Sequence, residues 1–229
     1  MALLSDSDTK EIKKIFGVLS NTVYLRAYTQ NLNCPTCSDT EIILKELDAL
    51  SDRLNLTFLN LKTEAEQALK DGVDRAPAIV VSDGTHSRVK FFGTPSGYEF
   101  SSLLTCILDA GGSEEPLTKD TTDFLDVLET DLSMQVFVTP TCPHCPGAAV
   151  LASRMARYSK KINSAVIEAN EFPELSSRFN VQGVPRTVIN EKFYAEGSLP
   201  ESMMIQALQK VLKDNPSGDI NIMDYLQND

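Results

Sequence analysis

Positive charge is in short supply. Lys and Arg number 21 against 32 Asp and Glu in 229 residues, a net charge of −11. That balance argues against phosphate backbones and anionic membranes as partners, so neither nucleic acid nor membrane is expected. The N-terminus, "MALLSDSDTKEIKKIFGVL", lacks a basic segment followed by an apolar run and a small-residue cleavage site. No run is long enough to span a bilayer. The expectation is a protein with no signal peptide and no membrane span, at home in the cytosol, where structural disulfides are rare. Cysteine is sparse, with five in all. That is too few for a disulfide scaffold and suits a catalytic or metal-binding role. No G-x-G-x-x-G follows a strand-like run, so there is no flavin or nicotinamide fingerprint and no bound cofactor is expected. Charged residues make up 23%, short of the Lys and Glu enrichment of hyperthermophiles.

Apolar residues are plentiful, at 42%, and the length allows two small domains or one large one. The chain is written twice. Cys34-Pro35-Thr36-Cys37 and Cys142-Pro143-His144-Cys145 lie 108 residues apart. Each is preceded by a β-branched and aromatic run, "TVYLRAYT" or "SMQVFVT". Each is followed by apolar residues at helical spacing: Ile43, Leu47, Leu50 and Leu54, then Leu151, Met155 and Tyr158. A strand comes next, "LTFLNL" or "SAVIEA". Pro77 then follows Cys34 by 43 residues, and Pro185 follows Cys142 by 43. Each proline opens an apolar strand, a turn, a further strand ending in Gly93 or Gly197, and a closing helix. A leading helix precedes each unit, the first with Asp6 or Asp8 as its cap. "AGGSEEP" (110–116) reads as a linker, which predicts domains of 1–112 and 113–229. The last stretch, from Asp214, reads as loose or draped over a surface. Each unit is thus α-β-α-β-α-β-β-α, a mixed sheet of about four strands with helices on both faces, an α/β class.

A cysteine directly after a strand and before a helix sits at the N-cap. There a thiolate accepts unpaired backbone N–H bonds and feels the positive end of the helix dipole, which lowers its pKa. Cys34 and Cys142 are therefore the expected nucleophiles. Cys37 and Cys145, one turn on, are the expected resolving thiols. Pro35 and Pro143 fit the first helical position, which needs no N–H. Pro146 is odder, because it removes the donor that would close the first turn onto Cys142. His144 can stabilise the thiolate by charge or hydrogen bond, whereas Thr36 offers at most a hydroxyl. The second site is expected to have the lower nucleophile pKa and the more oxidising disulfide.

This order of elements around C-P-x-C resembles the thioredoxin/glutaredoxin pattern. Two such units in one chain resemble the glutaredoxin-like protein disulfide oxidoreductases of archaea and thermophilic bacteria. C-P-H-C is also similar to the motif of strongly oxidising bacterial thiol oxidases. The resemblance implies two tandem thioredoxin-like domains and a dithiol–disulfide oxidoreductase acting on protein or peptide thiols through redox-active disulfides, in disulfide formation, isomerisation or reduction. His144 and the doubled site favour an oxidase or isomerase, a cytosolic setting a reductase. It implies that Pro77 and Pro185 are cis and face the sulfurs, with Ala76 and Val184 offering their backbone to an extended substrate. Electrons would come from or go to a separate partner, such as a flavoprotein thioredoxin reductase. The chain departs from thioredoxins in having no acid on either strand leading to the motif, where Arg26 is the sole charge. Glu168, on the next strand, is the candidate proton acceptor; its counterpart in the first unit is Asn60.

The competing reading of the two pairs is a zinc or iron–sulfur site in a module without exchange activity, although paired Cys-x2-Cys halves usually lie roughly 15–20 residues apart. Cys106, on an apolar helix, reads as core. His86 reads as a solvated loop residue, and Arg75 and Arg186 as surface residues beside the prolines.

Overall fold

The structure, a computed structural model, describes residues 3–227. The elements of the first half are α1 (Asp6–Phe16), β1 (Val23–Thr29), α2 (Cys37–Asp48), β2 (Leu54–Asn60), α3 (Ala65–Asp71), β3 (Ala78–Ser82), β4 (Val89–Phe92) and α4 (Tyr98–Leu108). A π-type turn, Asp109–Ser113, follows. The second half repeats the order with α5 (Lys119–Asp126), β5 (Leu132–Val138), α6 (Cys145–Tyr158), β6 (Ile162–Glu168), α7 (Pro173–Arg178), β7 (Arg186–Ile189), β8 (Phe193–Glu196) and α8 (Glu201–Asp214). It then adds β9 (Ile220–Asn221) and α9 (Ile222–Gln227).

In the first unit the sheet runs β2-β1-β3-β4, with β1 parallel to β2 and the other pairs antiparallel. In the second it runs β6-β5-β7-β8-β9, with β5 parallel to β6, β7 antiparallel to both β5 and β8, and β9 parallel to β8. Strands β1 and β5 share one burial pattern, polar tolerance at the start and full burial at the end. Every residue of β3 is buried. A strand covered on both faces reads as a near-continuous apolar run, and "AIVVS", polar only at its last residue, is legible as a central strand for that reason.

Local chemistry sets the ends of the elements. Ser5, not Asp6 or Asp8, caps α1: its hydroxyl accepts the Asp8 N–H, and the Asp8 carboxylate accepts the Ser5 N–H in return. Helix α3 ends at Gly72 and α7 runs into Asn180, both with left-handed backbone.

The two compact units do not divide at one point. Unit one is Met1–Pro95 with Leu103–Glu115; unit two is Ser96–Ser102 with Pro116–Asp229. The expected border after Gly112 therefore moves, for two reasons. The Gly111 carbonyl accepts the Ser20 and Asn21 N–H groups at 2.9 and 3.0 Å, which ties the π-type turn to unit one. The Tyr98 N–H donates to the Pro140 carbonyl at 2.9 Å, which ties the start of α4 to unit two. Of the two readings of the C-terminal stretch, loose or draped, the structure departs from the first. The stretch supplies β9 and α9, Ile222 is fully buried, and Lys210 Nζ donates to the Tyr225 carbonyl at 2.8 Å.

Candidate active site

Each cysteine pair is closed as a disulfide, with Cα atoms 5.4 Å apart in the first unit and 5.5 Å in the second. The first cysteine is not the N-cap. Thr36 and His144 hold that position, and the helices begin at Cys37 and Cys145. The motif itself is a turn, closed by Cys37 N–H to the Cys34 carbonyl and Cys145 N–H to the Cys142 carbonyl, each at 3.4 Å. The N-cap expectation is thus corrected by two residues, and Pro35 and Pro143 lie before the helix rather than at its first position, but the first cysteine of each pair still precedes a helix start. Pro146 now has a simple place. It lies in the first turn of α6, where an N–H has no helical partner to lose, and the Cys142 carbonyl takes its bond from Cys145 instead.

The two sites are not copies. Cys37 and Cys145 are both buried, at 5% and 1% exposed, but Cys142 is buried at 7% while Cys34 is half-buried. Four residues, Gln30–Asn33, link β1 to Cys34; three, Thr139–Thr141, link β5 to Cys142. The extra residue puts Asn33 in the left-handed region, at φ 57°. Gln30 N–H donates to Cys37 Sγ at 3.4 Å. In the second unit the Thr139 carbonyl accepts Cys142 N–H at 3.1 Å. His144 and both motif prolines, Pro35 and Pro143, are exposed. The Thr36 carbonyl gathers three donors, Thr40 N–H and the hydroxyls of Thr40 and Thr94.

Both X–Pro bonds, Ala76–Pro77 and Val184–Pro185, are cis. The Val184 carbonyl oxygen lies 3.7 Å from Cys142 Sγ, so the residue before the second proline does present its backbone to the sulfur. Arg75 pairs with Asp74 through two contacts of 2.8 Å. Arg186 is not a surface residue. It is 3% exposed, stacks 3.6 Å above the Tyr194 ring and pairs with Glu196 at 2.7 Å. A cation over an aromatic face tolerates burial, and a strand start flanked by β8 supplies that face. The His86 side chain is likewise buried, and its Nδ1 accepts the Arg88 N–H. Cys106 is buried in the core, as expected.

Glu168 is buried at the end of β6, in register with Val138. Its carboxylate accepts Asn170 Nδ2 and the Glu171 N–H. Asn60 does the same work in the first unit, where its Oδ1 accepts Lys62 N–H and Thr63 N–H. Both residues therefore hold the turn after their strand. A second buried acid was not legible in the sequence. Glu99, in the first turn of α4, is 4% exposed, and its Oε1 has no hydrogen-bond partner. Burial pushes its carboxyl up to about 9, and the neighbouring Glu168 and Glu171 add to the shift. It follows Tyr98, whose N–H holds the Pro140 carbonyl two residues ahead of Cys142. Gly97, at φ 54°, permits that approach; a side chain there would collide with the Pro140 carbonyl.

The first unit has a different buried network, also missed. Arg26 makes two bonds to Asp71, at 2.6 and 2.9 Å, and one to Ser87 Oγ at 2.6 Å. The Tyr28 hydroxyl donates to Asp71 at 2.6 Å. Burial pushes Asp71 up, but bonds from Arg26, Tyr28 and Ser87 outweigh it and leave the acid below the ordinary carboxylate range. Burial, then Asp71, raise the Tyr28 phenol above its usual range. Burial pulls Lys90 down to about 8 against the opposing pull of Asp71.

The chemistry this geometry supports is thiol–disulfide exchange. Each unit offers a sulfur at the front of a helix, a second sulfur one turn deeper and a cis-proline strand. Among the described residues no group of three or more His, Cys, Asp or Glu side chains gathers as a metal would need, and no helix is long and apolar enough to cross a membrane.

Known proteins match this picture. The family model for the thioredoxin domain matches residues 132–210. The alkyl hydroperoxide reductase component AhpF of Escherichia coli (strain K12) is 22% identical over 211 residues, covering 87% of this chain and 39% of that protein. The chain thus spans about two fifths of that relative's length. A protein disulfide oxidoreductase from Aeropyrum pernix k1 has a TM-score of 0.86 at 23% identity, covering 93% of this chain and 96% of that one. A structure of the alkylhydroperoxide reductase component AhpF from Enterococcus faecalis (V583), a C503A mutant, has a TM-score of 0.82 at 25% identity, covering 90% of this chain and 99% of that one. Fold, motif spacing and family model together make this chain a tandem thioredoxin-fold protein with a cysteine pair in each unit.

Proposed function

We propose that the chain is a dithiol–disulfide oxidoreductase whose partners are polypeptides carrying thiols or disulfides. The observation that carries this reading is the repeated construction: each pair is closed as a disulfide at the front of a helix, in a unit that also holds a cis-proline strand. In the reducing direction the Cys142 thiolate attacks one sulfur of a substrate disulfide. A mixed disulfide forms and the other substrate sulfur leaves as a thiolate. Cys145, deprotonated, then attacks Cys142, and the second substrate sulfur leaves. The substrate gains two electrons and the Cys142–Cys145 disulfide is restored. Cys34 and Cys37 act in the same order. The oxidising direction is the reverse.

Several residues support these steps. The Val184 carbonyl beside Cys142, and Ala76 in the first unit, give an extended substrate a backbone to pair with. His144 stabilises the Cys142 thiolate, so the second pair is the more oxidising. Glu99, neutral up to about pH 9, holds a proton in the second unit on the turn that anchors Pro140; Glu168 takes part by keeping Glu99 neutral. A separate donor, a flavoprotein reductase, returns the pairs to thiols. The relatives named as parts of a reductase favour the reducing direction. We place the work in the cytosol, where reduced thiols prevail.

Trapping tests the reading. With Cys37→Ala or Cys145→Ala, resolution stops at the mixed disulfide, and cellular proteins remain bound through Cys34 or Cys142. Absence of mixed disulfides from both variants defeats the proposal. Potentials then fix direction: about −270 mV marks a reductase, and above about −200 mV an oxidant.

A further inference from the structure

The segments leading to the two nucleophiles are treated in opposite ways. In unit two, Thr139–Thr141 carries no long apolar side chain; Thr141 is exposed, while Gly97 packs on Pro140 and Tyr98 N–H takes its carbonyl. In unit one, Gln30–Asn33 is one residue longer and presents Leu32 at 78% exposed, two residues before Cys34. The loop holds this leucine out by built contacts. Gln30 Nε2 donates to the Asn33 carbonyl at 3.2 Å, Gln30 N–H is anchored on Cys37 Sγ, and Asn33 takes the left-handed turn. A lone exposed leucine is ordinary. One held by its own loop beside a half-buried reactive sulfur is in position to touch whatever binds that sulfur.

From this we infer that Leu32 is a specificity-determining residue. It docks an apolar side chain flanking the reactive cysteine of a polypeptide disulfide, and so makes the first site the one that selects polypeptides by sequence. The inference rests on the exchange reading above. The second site, with Cys142 buried and only Thr139, Pro140 and Thr141 leading to it, lacks this contact.

The test uses the full chain with Cys142→Ser and Cys145→Ser, so that only the first pair reacts. The reduced protein is mixed with three disulfides: a peptide whose cysteine is flanked by leucines, the same peptide with serines there, each capped by 2-mercaptoethanol, and bis(2-hydroxyethyl) disulfide. Oxidation of Cys34 and Cys37 is followed by alkylation quench and mass spectrometry. The leucine peptide is expected to react about tenfold faster than the serine peptide, the effect of burying part of a leucine pair. Leu32→Ser removes that preference and Leu32→Met keeps it, while neither changes the rate with the small disulfide. Equal rates for the two peptides, or a preference that survives Leu32→Ser, overturn the inference. No reaction with the small disulfide defeats the exchange reading itself, and this inference with it.

Discussion

The two units solve one packing problem in opposite ways. Where β1 of the first unit carries Arg26 and Tyr28, β5 of the second carries Gln135 and Phe137. Where α3 ends in Asp71, the chain after α7 carries Phe179. In the first unit these positions form a charged, hydrogen-bonded cluster. In the second, Phe137 and Phe179 form a tilted ring pair with centroids 5.8 Å apart. The fold asks for contact between the strand and the end of that helix, and leaves the chemistry of the contact free. The consequences differ. Breaking an ion pair strands a charge, whereas trimming an aromatic pair leaves a hollow.

The largest expected effect tests that difference. Asp71→Ala leaves Arg26 without its carboxylate and the buried Tyr28 hydroxyl without an acceptor. It should destabilise unit one by about 3 kcal/mol. Phe179→Ala removes a half-buried ring and should cost unit two about 2 kcal/mol. Urea unfolding followed by hydrogen exchange resolves the two units. An Asp71→Ala cost below that of Phe179→Ala would break the comparison. Asp71 also gives unit one an acid dependence. Its folded pKa lies below the unfolded value of about 3.9. Its stabilisation is therefore complete above that value and is lost as pH falls through the folded pKa.

Glu99 gives unit two the opposite slope. Its folded pKa is raised to about 9, so between the ordinary glutamate value, about 4.3, and 9 the folded state holds a proton that the unfolded state has lost. Stability therefore falls as pH rises through that window. Glu99→Gln, which keeps the shape and removes the charge, should flatten the slope and stabilise the chain by about 2 kcal/mol at pH 8. Denaturation at pH 5 and pH 8 checks it. The same slope in wild type and variant would remove Glu99 from the proton account.

What the sequence made legible and what it hid follow one rule. The cysteine pairs, the prolines 43 residues on and the apolar strands are signals carried within a few residues of each position, and the element order read from them stands. Arg26 is 45 residues from Asp71, and nothing local to either announces the pair. Glu99 is hidden more deeply. It lies on a helix whose apolar stripe, Leu103 and Ile107, marks it for the first unit, while its own turn belongs to the second. Arg186 looked like a surface residue because the ring that receives it, Tyr194, comes from the next strand. The turn before each helix misled for a different reason. A C-P-x-C motif can begin a helix at its first or its last residue, and the choice rests on backbone angles that residue identity leaves open.

Exchanging the third motif residue sharpens the contrast between sites. Thr36→His should raise the potential of the first pair by about 30 mV, and His144→Thr should lower that of the second by a similar amount, a tenfold change in each equilibrium with glutathione. Both side chains are accessible enough to act without repacking the core: His144 is exposed and Thr36 half-buried. If neither exchange moves either potential, the residue is a bystander and the two sites differ only in their surroundings.

The smallest effect is on the alkaline side of unit one. Lys90 is buried beside Gly72, where Lys90 Cε lies 3.2 Å from the place a Cβ would occupy, and burial holds its ammonium down to about 8. Between 8 and the ordinary lysine value, about 10.4, the unfolded chain binds a proton that the folded chain has given up. Unit one should therefore gain stability as pH rises through that window, by about 1 kcal/mol, while below 8 Lys90 contributes no slope. Lys90→Met retains the buried stem, which lies against Gly72, and should abolish the gain. Hydrogen exchange of β3 and β4 amides at pH 8 and pH 9.5, corrected for intrinsic rates, reads the difference. A wild-type unit one whose stability stays flat over this interval would mean that the Asp71 carboxylate holds the proton on Lys90 despite its burial, and that the cluster behaves as an ion triad.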